Sequence, residues 1–191
     1  IREKVLIQDS FKLAIKIFNS KFKPDFLVGL WRGGSTVGIY VQECLQHLGV
    51  QTDHISIRTS YQGEPDYQER IKKGREIRVH GLQYLLENLN NDQKLLIVDD
   101  VYGSGSSVNA VIKQLSERLK KNMPSDYKVA VPWYKPSQNT SGRVPDFYVH
   151  ETDEWLVLPY ELVGLDTNEI ASNKPGVSEI LSSIKVNHNL D

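Results

Sequence analysis

A chain of 191 residues is most economically a single domain, here spanning 1–191, with room for a sizeable core. Its 39% apolar and 25% charged residues are ordinary for a globular protein, and a net charge of −1 gives no support to broad attraction to nucleic acid or membranes. No apolar run approaches the ~20 residues of a membrane span, and the N-terminus has no signal-peptide pattern. The single cysteine, Cys44, cannot form an internal disulfide and is expected to be a buried thiol. We therefore expect a cytoplasmic protein without nucleic-acid or membrane partners.

Apolar residues recur along the chain with periods that alternate between helix and strand. From the N-terminus, helices are predicted over residues 8–22, 37–48, 81–89 and 108–121, with a weak helical pattern in the tail from residue 167. Strands are predicted over residues 26–30, 54–59, 76–80, 94–101, 128–134 and 147–150. This alternation predicts an α/β fold with a mainly parallel sheet covered by helices on both faces.

The segment from residue 60 to 73 differs from its surroundings, because it is polar, contains glycine and proline, and shows no clear period. Loops of this length in compact domains are usually lids or disordered segments. We therefore expect a long exposed loop that begins at Ser60 and Tyr61.

The most informative stretch is residues 95–107, where an apolar strand ends in Asp99 and Asp100 and a loop of small residues precedes a helix. Open α/β sheets bind ligands at the carboxyl ends of their strands. Glycines let the backbone approach an anion, and a helix N-terminus offers free N–H groups and a positive dipole end. The loop residues are Gly103, Ser104, Gly105, Ser106 and Ser107. Carboxylates beside a phosphate loop predict a phosphorylated ligand that also carries hydroxyls or a bridging metal.

Two further groups of residues are candidates for ligand contact. Arg32 and Gly33 lie between a predicted strand and helix, which favours either a second anion site or an ordinary surface arginine in a glycine turn. Trp155 is either a core residue or a stacking face for a planar ligand. Lys135 follows a strand and is either a donor to a ligand carbonyl or a solvated lysine.

Several other site classes are disfavoured by the sequence. The five histidines are scattered, and no pair has metal-ligand spacing. The loop at residues 103–107 is neither a Walker loop nor a full dinucleotide-binding motif, and the chain has no Gly-x-Ser-x-Gly elbow.

In combination, these motifs resemble the type I phosphoribosyltransferases. Residues 96–101, Leu-Ile-Val-Asp-Asp-Val, with the following loop and helix, are similar to the family's phosphoribosyl-pyrophosphate motif. Residues 31–34, Trp-Arg-Gly-Gly, resemble its pyrophosphate loop, and residues 60–61 resemble the start of its mobile lid. Segments within residues 134–161 resemble the purine-binding hood of the hypoxanthine and xanthine-guanine (6-oxopurine) members, so the resemblance runs from about residue 26 to 162.

At the sugar-phosphate end, the resemblance implies that Asp99 and Asp100 are the catalytic residues and hold the ribose hydroxyls, directly or through Mg²⁺. The loop at 103–107 would bind the 5′-phosphate, and Glu161 would help to hold a second Mg²⁺. Arg32 and Gly33 would bind the pyrophosphate. In relatives the peptide bond that enters this arginine is often cis.

At the base end, the resemblance implies that Lys135 donates to the purine 6-oxygen, Trp155 stacks on the ring and the Leu156 backbone meets the ring edge. It also implies a division of the single domain into a core at about 8–135, a lid at about 60–78, a base-binding hood at about 135–165 and a tail at about 166–191.

One position departs from the family pattern. The 6-oxopurine members usually begin the phosphate loop with an aspartate that takes or holds the purine N7 proton, and Gly103 stands in that place. Glycine cannot act as a base. Either another group such as Asp100, Glu161 or a water serves, or the acceptor is not a standard 6-oxopurine, or catalysis is lost.

The sequence therefore carries three functional hypotheses. The first is a Mg²⁺-dependent purine phosphoribosyltransferase that converts phosphoribosyl pyrophosphate and hypoxanthine, guanine or xanthine to nucleotide in purine salvage, as a dimer or tetramer. The second is a non-catalytic regulator that binds phosphoribosyl pyrophosphate or a nucleotide on the same fold. The third is a doubly wound protein with another phosphorylated ligand, and a phosphoribosyltransferase for another base also stays open.

Overall fold

Short apolar runs form the strands of one sheet in the computed structural model, which describes residues 1–61 and 77–183. The strands are β1 (Phe26–Trp31), β2 (Asp53–Tyr61), β3 (Ile77–His80), β4 (Lys94–Val98), β5 (Val101–Tyr102), β6 (Asp126–Tyr134) and β7 (Phe147–Glu151). Across the sheet the order is β3, β2, β1, β4, β6, β7, and β5 pairs with β6 beyond the end of β4. Every pair is parallel except β2 with β3. The mainly parallel sheet is confirmed.

Helices cover both faces of this sheet, as predicted. They are α1 (Glu3–Asn19), α2 (Gly33–His47), α3 (Gln83–Asn88), α4 (Ser106–Leu119), α5 (Thr167–Asn173) and α6 (Pro175–Ser182), with 3₁₀ turns at Lys120–Asn122 and Pro136–Gln138. One buried cluster joins α1 and α2 to the sheet, and a second joins α3 and α4 to its other face. Cys44 is half-buried beside the α1–α2 cluster, and burial raises the pKa of its thiol.

Residues 95–98 of the central strand β4 form a continuous apolar run because both faces of the strand are buried. Successive side chains of a strand point to opposite faces. Leu96 and Val98 therefore pack in the α1–α2 cluster, and Leu95 and Ile97 pack in the α3–α4 cluster. All four side chains are fully buried, and each contributes about 1.5–3 kcal/mol of hydrophobic free energy. This burial on both faces fixes β4 in the middle of the sheet and places Asp99 at its carboxyl end.

Helix and strand boundaries differ from the predicted ones where small or polar residues, which carry no apolar period, begin or end an element. The helices α2 and α4 begin at Gly33 and Ser106, ahead of the first apolar residue of each periodic pattern. The strand predicted over residues 94–101 is interrupted after Val98, because carboxylates of the acidic pair accept N–H groups of the chain. Asp99 Oδ1 accepts the Asp100 N–H at 3.0 Å, and Asp100 Oδ1 accepts the Val101 N–H at 2.8 Å.

The segment between β7 and α5 lies against the body of the domain without forming a helix or strand. Leu158 is buried, and Lys174 Nζ donates to the carbonyls of Leu158 and Pro159 at 2.7 and 2.8 Å. These contacts fix the segment that carries the predicted base-binding residues. Within the described residues, no helix is long and apolar enough to cross a membrane.

Candidate active site

A cavity of about 780 Å³ lies at the carboxyl ends of the central strands. Its lining brings the acidic pair and the loop at residues 103–107 together with the predicted base-end residues, which are far apart in sequence, but it does not include Arg32 or Gly33. The lining includes residues 99–108, Lys135, Ser137, Gln138, Thr140, Trp155, Leu156, Leu158 and Glu161. The size is ample for a nucleotide-sized ligand, since small-molecule sites are clefts of about 300–1,000 Å³.

The acidic pair lies in the floor of this cavity. Burial, and then the negative charge of Asp100, raises the pKa of the Asp99 carboxyl well above its ordinary value. The Tyr160 hydroxyl donates a hydrogen bond to Asp100 Oδ2. Burial and the carboxylate of Asp100 raise the pKa of Tyr160 far above its ordinary value, so the hydroxyl keeps its proton and remains a donor. The two carboxyl groups are thus crowded in a way that a cation or ligand hydroxyls would relieve.

The small-residue loop turns the chain from β5 into α4. Gly105 has φ of 76° and caps the helix, a backbone conformation that favours glycine. A Cβ atom at this position would lie 2.5 Å from Tyr102 Oη and 2.6 Å from Ser141 Oγ. The first turn of α4 contains no acidic residue, so its N–H groups and dipole favour an anion.

The second glycine turn packs directly against the acidic pair. The Trp31–Arg32 peptide bond is cis, as the resemblance implied. A Cβ atom at Gly33 would overlap the Asp100 carboxylate and the Tyr160 hydroxyl, so only glycine allows this approach. Arg32 is exposed and lies outside the cavity lining. The structure thus brings the start of α2 to the acidic pair, with the arginine side chain at the surface.

Lys135 and Trp155 form the base end of the cavity. Lys135 is only 6% exposed, and its Nζ donates to the Glu154 carbonyl at 2.6 Å. The same Nζ lies 5.9 Å from the centre of the Trp155 ring, which is 85% exposed. Trp155 is therefore not a core residue and Lys135 is not a solvated surface lysine. Leu156 lines the same cavity beside them.

Three residues of the site had no signal of their own in the sequence. Tyr160 contacts Asp100, and Gln138 and Thr140 line the cavity. A Cβ atom at Gly103 would lie 3.1 Å from Gln138 Oε1, so this side chain occupies the space beside Gly103. The residues are 35 to 60 positions away from their partners, and only the resemblance of residues 155–161 to a hood segment pointed to one of them.

The predicted lid falls mostly outside the described residues. Ser60 and Tyr61 end β2, and the Ser60 hydroxyl lies 2.9 Å from His80 Nε2 on β3. Residues 62–76 lie outside the described part of the chain, so the lid stays a prediction.

The arrangement of acidic residues fits a magnesium ion that is held partly by substrate. In the part of the chain that the structure describes, no group of three or more His, Cys, Asp or Glu side chains is placed to hold a metal. Mg²⁺ commonly uses one or two carboxylates together with water and substrate phosphates. The adjacent carboxylates Asp99 and Asp100 suit that mode. Glu161 lines the cavity, and its Oε2 accepts the Leu158 N–H at 2.8 Å.

Comparisons with known proteins show which family the chain belongs to. The profile of the family described as "Phosphoribosyl transferase domain" matches residues 3–162. A purine phosphoribosyltransferase from Pyrococcus horikoshii is 25% identical with a TM-score of 0.64, and the match covers 87% of this chain and 95% of that one. A search of curated proteins finds no significant match.

Two more distant structures share the fold. A hypothetical protein from Neisseria gonorrhoeae with bound ppGpp is 18% identical with a TM-score of 0.68, covering 93% of this chain and 95% of that one. The hypoxanthine phosphoribosyltransferase of Trypanosoma cruzi, in complex with IMP, is 16% identical with a TM-score of 0.60, and the match covers 78% of this chain and 77% of that one. The predicted resemblance to the type I phosphoribosyltransferases is confirmed. The chain belongs to the phosphoribosyl transferase domain family, and its sheet and helices have the type I phosphoribosyltransferase fold.

Proposed function

We propose that the protein transfers the 5-phosphoribosyl group from phosphoribosyl pyrophosphate to a purine base, namely hypoxanthine, guanine or xanthine, in purine salvage. The observation that carries this proposal is the single cavity. It joins an acidic pair and a helix-capping phosphate loop to a buried lysine and an exposed tryptophan ring. The acidic pair suits ribose hydroxyls and the loop suits a phosphate. The lysine suits a carbonyl oxygen of a base, and the tryptophan ring suits its planar face.

At the sugar-phosphate end, Asp99 and Asp100 would orient the ribose through its hydroxyls and would hold Mg²⁺. When bound, the ion supplies charge neutralisation for the departing pyrophosphate. The backbone of Gly103–Ser107 would anchor the 5′-phosphate, and Arg32 with the N–H groups at Gly33 would bind pyrophosphate. Fixing both ends of the sugar aligns the reacting carbon with the base.

At the base end, Lys135 Nζ would donate to the purine 6-oxygen, and the Leu156 backbone would meet the ring edge. The exposed face of Trp155 is available for stacking on the base. A lid that starts at Ser60 and Tyr61 would exclude water, since water attack would destroy the activated sugar.

A second candidate is a non-catalytic regulator that binds phosphoribosyl pyrophosphate or a nucleotide in this cavity. Gly103 favours it, because the glycine supplies no side chain where the 6-oxopurine enzymes carry an aspartate. A phosphoribosyltransferase for another base is the remaining alternative. An activity assay combined with a binding measurement separates all three.

The test is nucleotide formation from phosphoribosyl pyrophosphate and Mg²⁺ with hypoxanthine, guanine, xanthine and adenine in turn, followed by chromatography. We expect turnover with at least one 6-oxopurine. Turnover with adenine alone would favour the enzyme for another base. Tight calorimetric binding of phosphoribosyl pyrophosphate without turnover would favour the regulator.

A matched pair of variants tests whether phosphoribosyl pyrophosphate binds in this cavity. Asp100→Asn should weaken phosphoribosyl-pyrophosphate binding by about ten- to a hundredfold, the effect of losing charge-assisted hydrogen bonds. Asp92→Asn changes an exposed aspartate outside the cavity and should leave binding unchanged. Equal affinities of the two variants would place the ligand elsewhere.

The cellular location and assembly of the protein are also proposals. We expect a cytoplasmic homo-oligomer, a dimer or tetramer, which fractionation and light scattering would check.

A further inference from the structure

Tyr160 lies at the third position of a tight turn formed by residues 158–161. The Glu161 N–H donates to the Leu158 carbonyl at 3.1 Å and closes the turn. Pro159 occupies the second position, where its fixed φ favours this geometry. The Leu158 side chain is buried, which anchors the turn in the core. The local sequence therefore places Tyr160 on a backbone whose conformation is well defined.

Two further contacts hold the turn at residues 158–161 in place. Lys174, at the junction of α5 and α6, donates from Nζ to the carbonyls of Leu158 and Pro159 at 2.7 and 2.8 Å. Glu161 Oε2 accepts the Leu158 N–H at 2.8 Å. Because these contacts restrict the backbone on which Tyr160 is carried, its side chain extends from a defined position.

The Tyr160 hydroxyl contacts Asp100 beside the start of α2. It donates a hydrogen bond to Asp100 Oδ2. A Cβ atom at Gly33, the first residue of α2, would overlap both the hydroxyl and this oxygen, so the three groups lie together. Among the described residues, the cavity lining includes Asp100 but neither Tyr160 nor Gly33. The tyrosine therefore reaches the carboxylate without being part of the cavity lining.

Both oxygens of the Asp100 carboxylate thus have a hydrogen-bond donor from the protein. Oδ1 accepts the Val101 N–H at 2.8 Å, and Oδ2 accepts the Tyr160 hydroxyl. A carboxylate oxygen has two lone pairs, so each oxygen keeps an acceptor site for a ligand. The two contacts hold the carboxylate in one orientation, although the carboxyl group of Asp99 is its neighbour in the chain.

We propose that Tyr160 is a positioning residue, whose hydroxyl holds the Asp100 carboxylate in the orientation that binds phosphoribosyl pyrophosphate. This inference rests on the proposed function, in which Asp100 contacts the ribose hydroxyls. Tyr160 acts through Asp100 and contacts neither the sugar nor the base. A carboxylate that is already oriented loses less conformational freedom on binding than a mobile one. The hydroxyl therefore increases the affinity for the sugar substrate and leaves the contacts to the base unchanged.

Tyr160→Phe removes the hydroxyl and keeps the ring. In calorimetry with Mg²⁺, it should weaken phosphoribosyl-pyrophosphate binding by about tenfold, the effect of losing one hydrogen bond to a charged group. In the nucleotide-formation assay, KM for phosphoribosyl pyrophosphate should rise, and KM for the base should not change. Tyr84→Phe is the matched control, because the Tyr84 hydroxyl also donates to an aspartate, Asp53, and neither residue lines the cavity. It should change neither value.

A double-mutant cycle tests whether Tyr160 acts through Asp100. Asp100→Ala removes the carboxylate that the hydroxyl positions. Adding Tyr160→Phe to Asp100→Ala should therefore cause no further loss of affinity for phosphoribosyl pyrophosphate. Additive losses would mean that the tyrosine affects the ligand by another route, and they would overturn the inference.

The outcomes distinguish this inference from the proposed function. If the wild type binds phosphoribosyl pyrophosphate, an affinity in Tyr160→Phe equal to or higher than that in Tyr84→Phe overturns the inference and leaves the function standing. A rise in KM for the base as large as that for the sugar substrate also overturns it, because that result indicates a general displacement of the turn. A wild type that neither binds phosphoribosyl pyrophosphate nor forms nucleotide overturns the proposed function, and the inference with it.

Discussion

Two adjacent carboxyl groups at the end of a buried strand are costly in a protein without a bound cation. Burial and Asp100 raise the pKa of Asp99, and Tyr160 donates to one oxygen of Asp100 without neutralising its charge. A ligand with hydroxyls and a divalent cation would remove much of that cost. The residues that make the site work are therefore expected to reduce the stability of the free protein.

The pH dependence of stability tests this expectation at Asp99. Its pKa is higher folded than unfolded, so the folded state binds the proton more tightly and stability falls as pH rises from the unfolded toward the folded pKa. Asp99→Asn removes that charge and should raise the Tm at pH 7 by on the order of 2–4 °C. This is the shift expected when the free energy of unfolding of a chain of this size rises by about 1 kcal/mol. The gain should vanish below the unfolded pKa of about 3.9. Thermal unfolding across pH measures both values, with Asp92→Asn as control. A variant less stable than the wild type at pH 7 would contradict the argument.

At the scale of elements, the start of α4 is supported by the loop that follows β6. The Tyr102 hydroxyl lies 2.9 Å from Ser141 Oγ, and the Thr140 N–H donates to the Ser104 carbonyl at 3.3 Å. These contacts hold the turn at Gly105 in place. The loop at residues 103–107 and the loop after Lys135 are thus one structural unit, which joins the predicted sugar-phosphate end of the site to the predicted base end.

Alanine substitutions at two glycines of this unit, which have similar backbone conformations, distinguish the effect of backbone strain from the effect of steric overlap. Gly105 and Gly142 both have positive φ, 76° and 72°, but a Cβ at Gly142 would meet nothing within 4 Å. Gly142→Ala should cost about 1–2 kcal/mol of unfolding free energy from backbone strain alone. Gly105→Ala should cost more, and it should also weaken phosphoribosyl-pyrophosphate binding by about tenfold because Tyr102 and Ser141 must move. Urea unfolding and calorimetry measure the two effects, and equal affinities in both variants would show that the phosphate loop tolerates the displacement.

At the scale of the whole molecule, side chains of α1 contact β7, the strand at one end of the sheet. Asp9, which is almost fully buried, lies 2.8 Å from His150 Nε2 on β7 and 2.7 Å from Lys12 Nζ. The His150 ring stacks on Trp133, with ring centres 6.1 Å apart. Lys16 Nζ donates to the Tyr148 carbonyl at 2.7 Å. This cluster joins the N-terminal helix to β7, the strand that precedes the tryptophan segment.

His150→Ala tests how much this connection contributes. It leaves the buried Asp9 without its histidine partner and should lower the free energy of unfolding by about 1–3 kcal/mol. His47→Ala, at an exposed histidine of α2, should change it by no more than about 0.5 kcal/mol. Denaturant unfolding of both variants provides the comparison. Equal stabilities would mean that Asp9 is satisfied by Lys12 and its surroundings alone.

Much of the fold was predictable because its signals are local. The central run at residues 95–98 is apolar throughout because both faces of β4 are buried there, and the small residues at 103–107 are typical of a strand-to-helix turn. Boundaries were less predictable. The residues that begin α2 and α4 are glycine and serine, so they carry no apolar period, and β4 stops where carboxylates accept backbone N–H groups.

By itself, the sequence determined the order of strands and helices, the acidic pair with its glycine–serine loop, and the family to which the chain belongs, because these depend on residues that are neighbours along the chain. Tertiary structure alone decided that Lys135 is buried while Trp155 is exposed, that Tyr160 meets Asp100, and that Gln138 fills the space beside Gly103. These relations join residues 20 to 60 positions apart, and only packing the loops over the carboxyl ends of the strands brings such residues into contact.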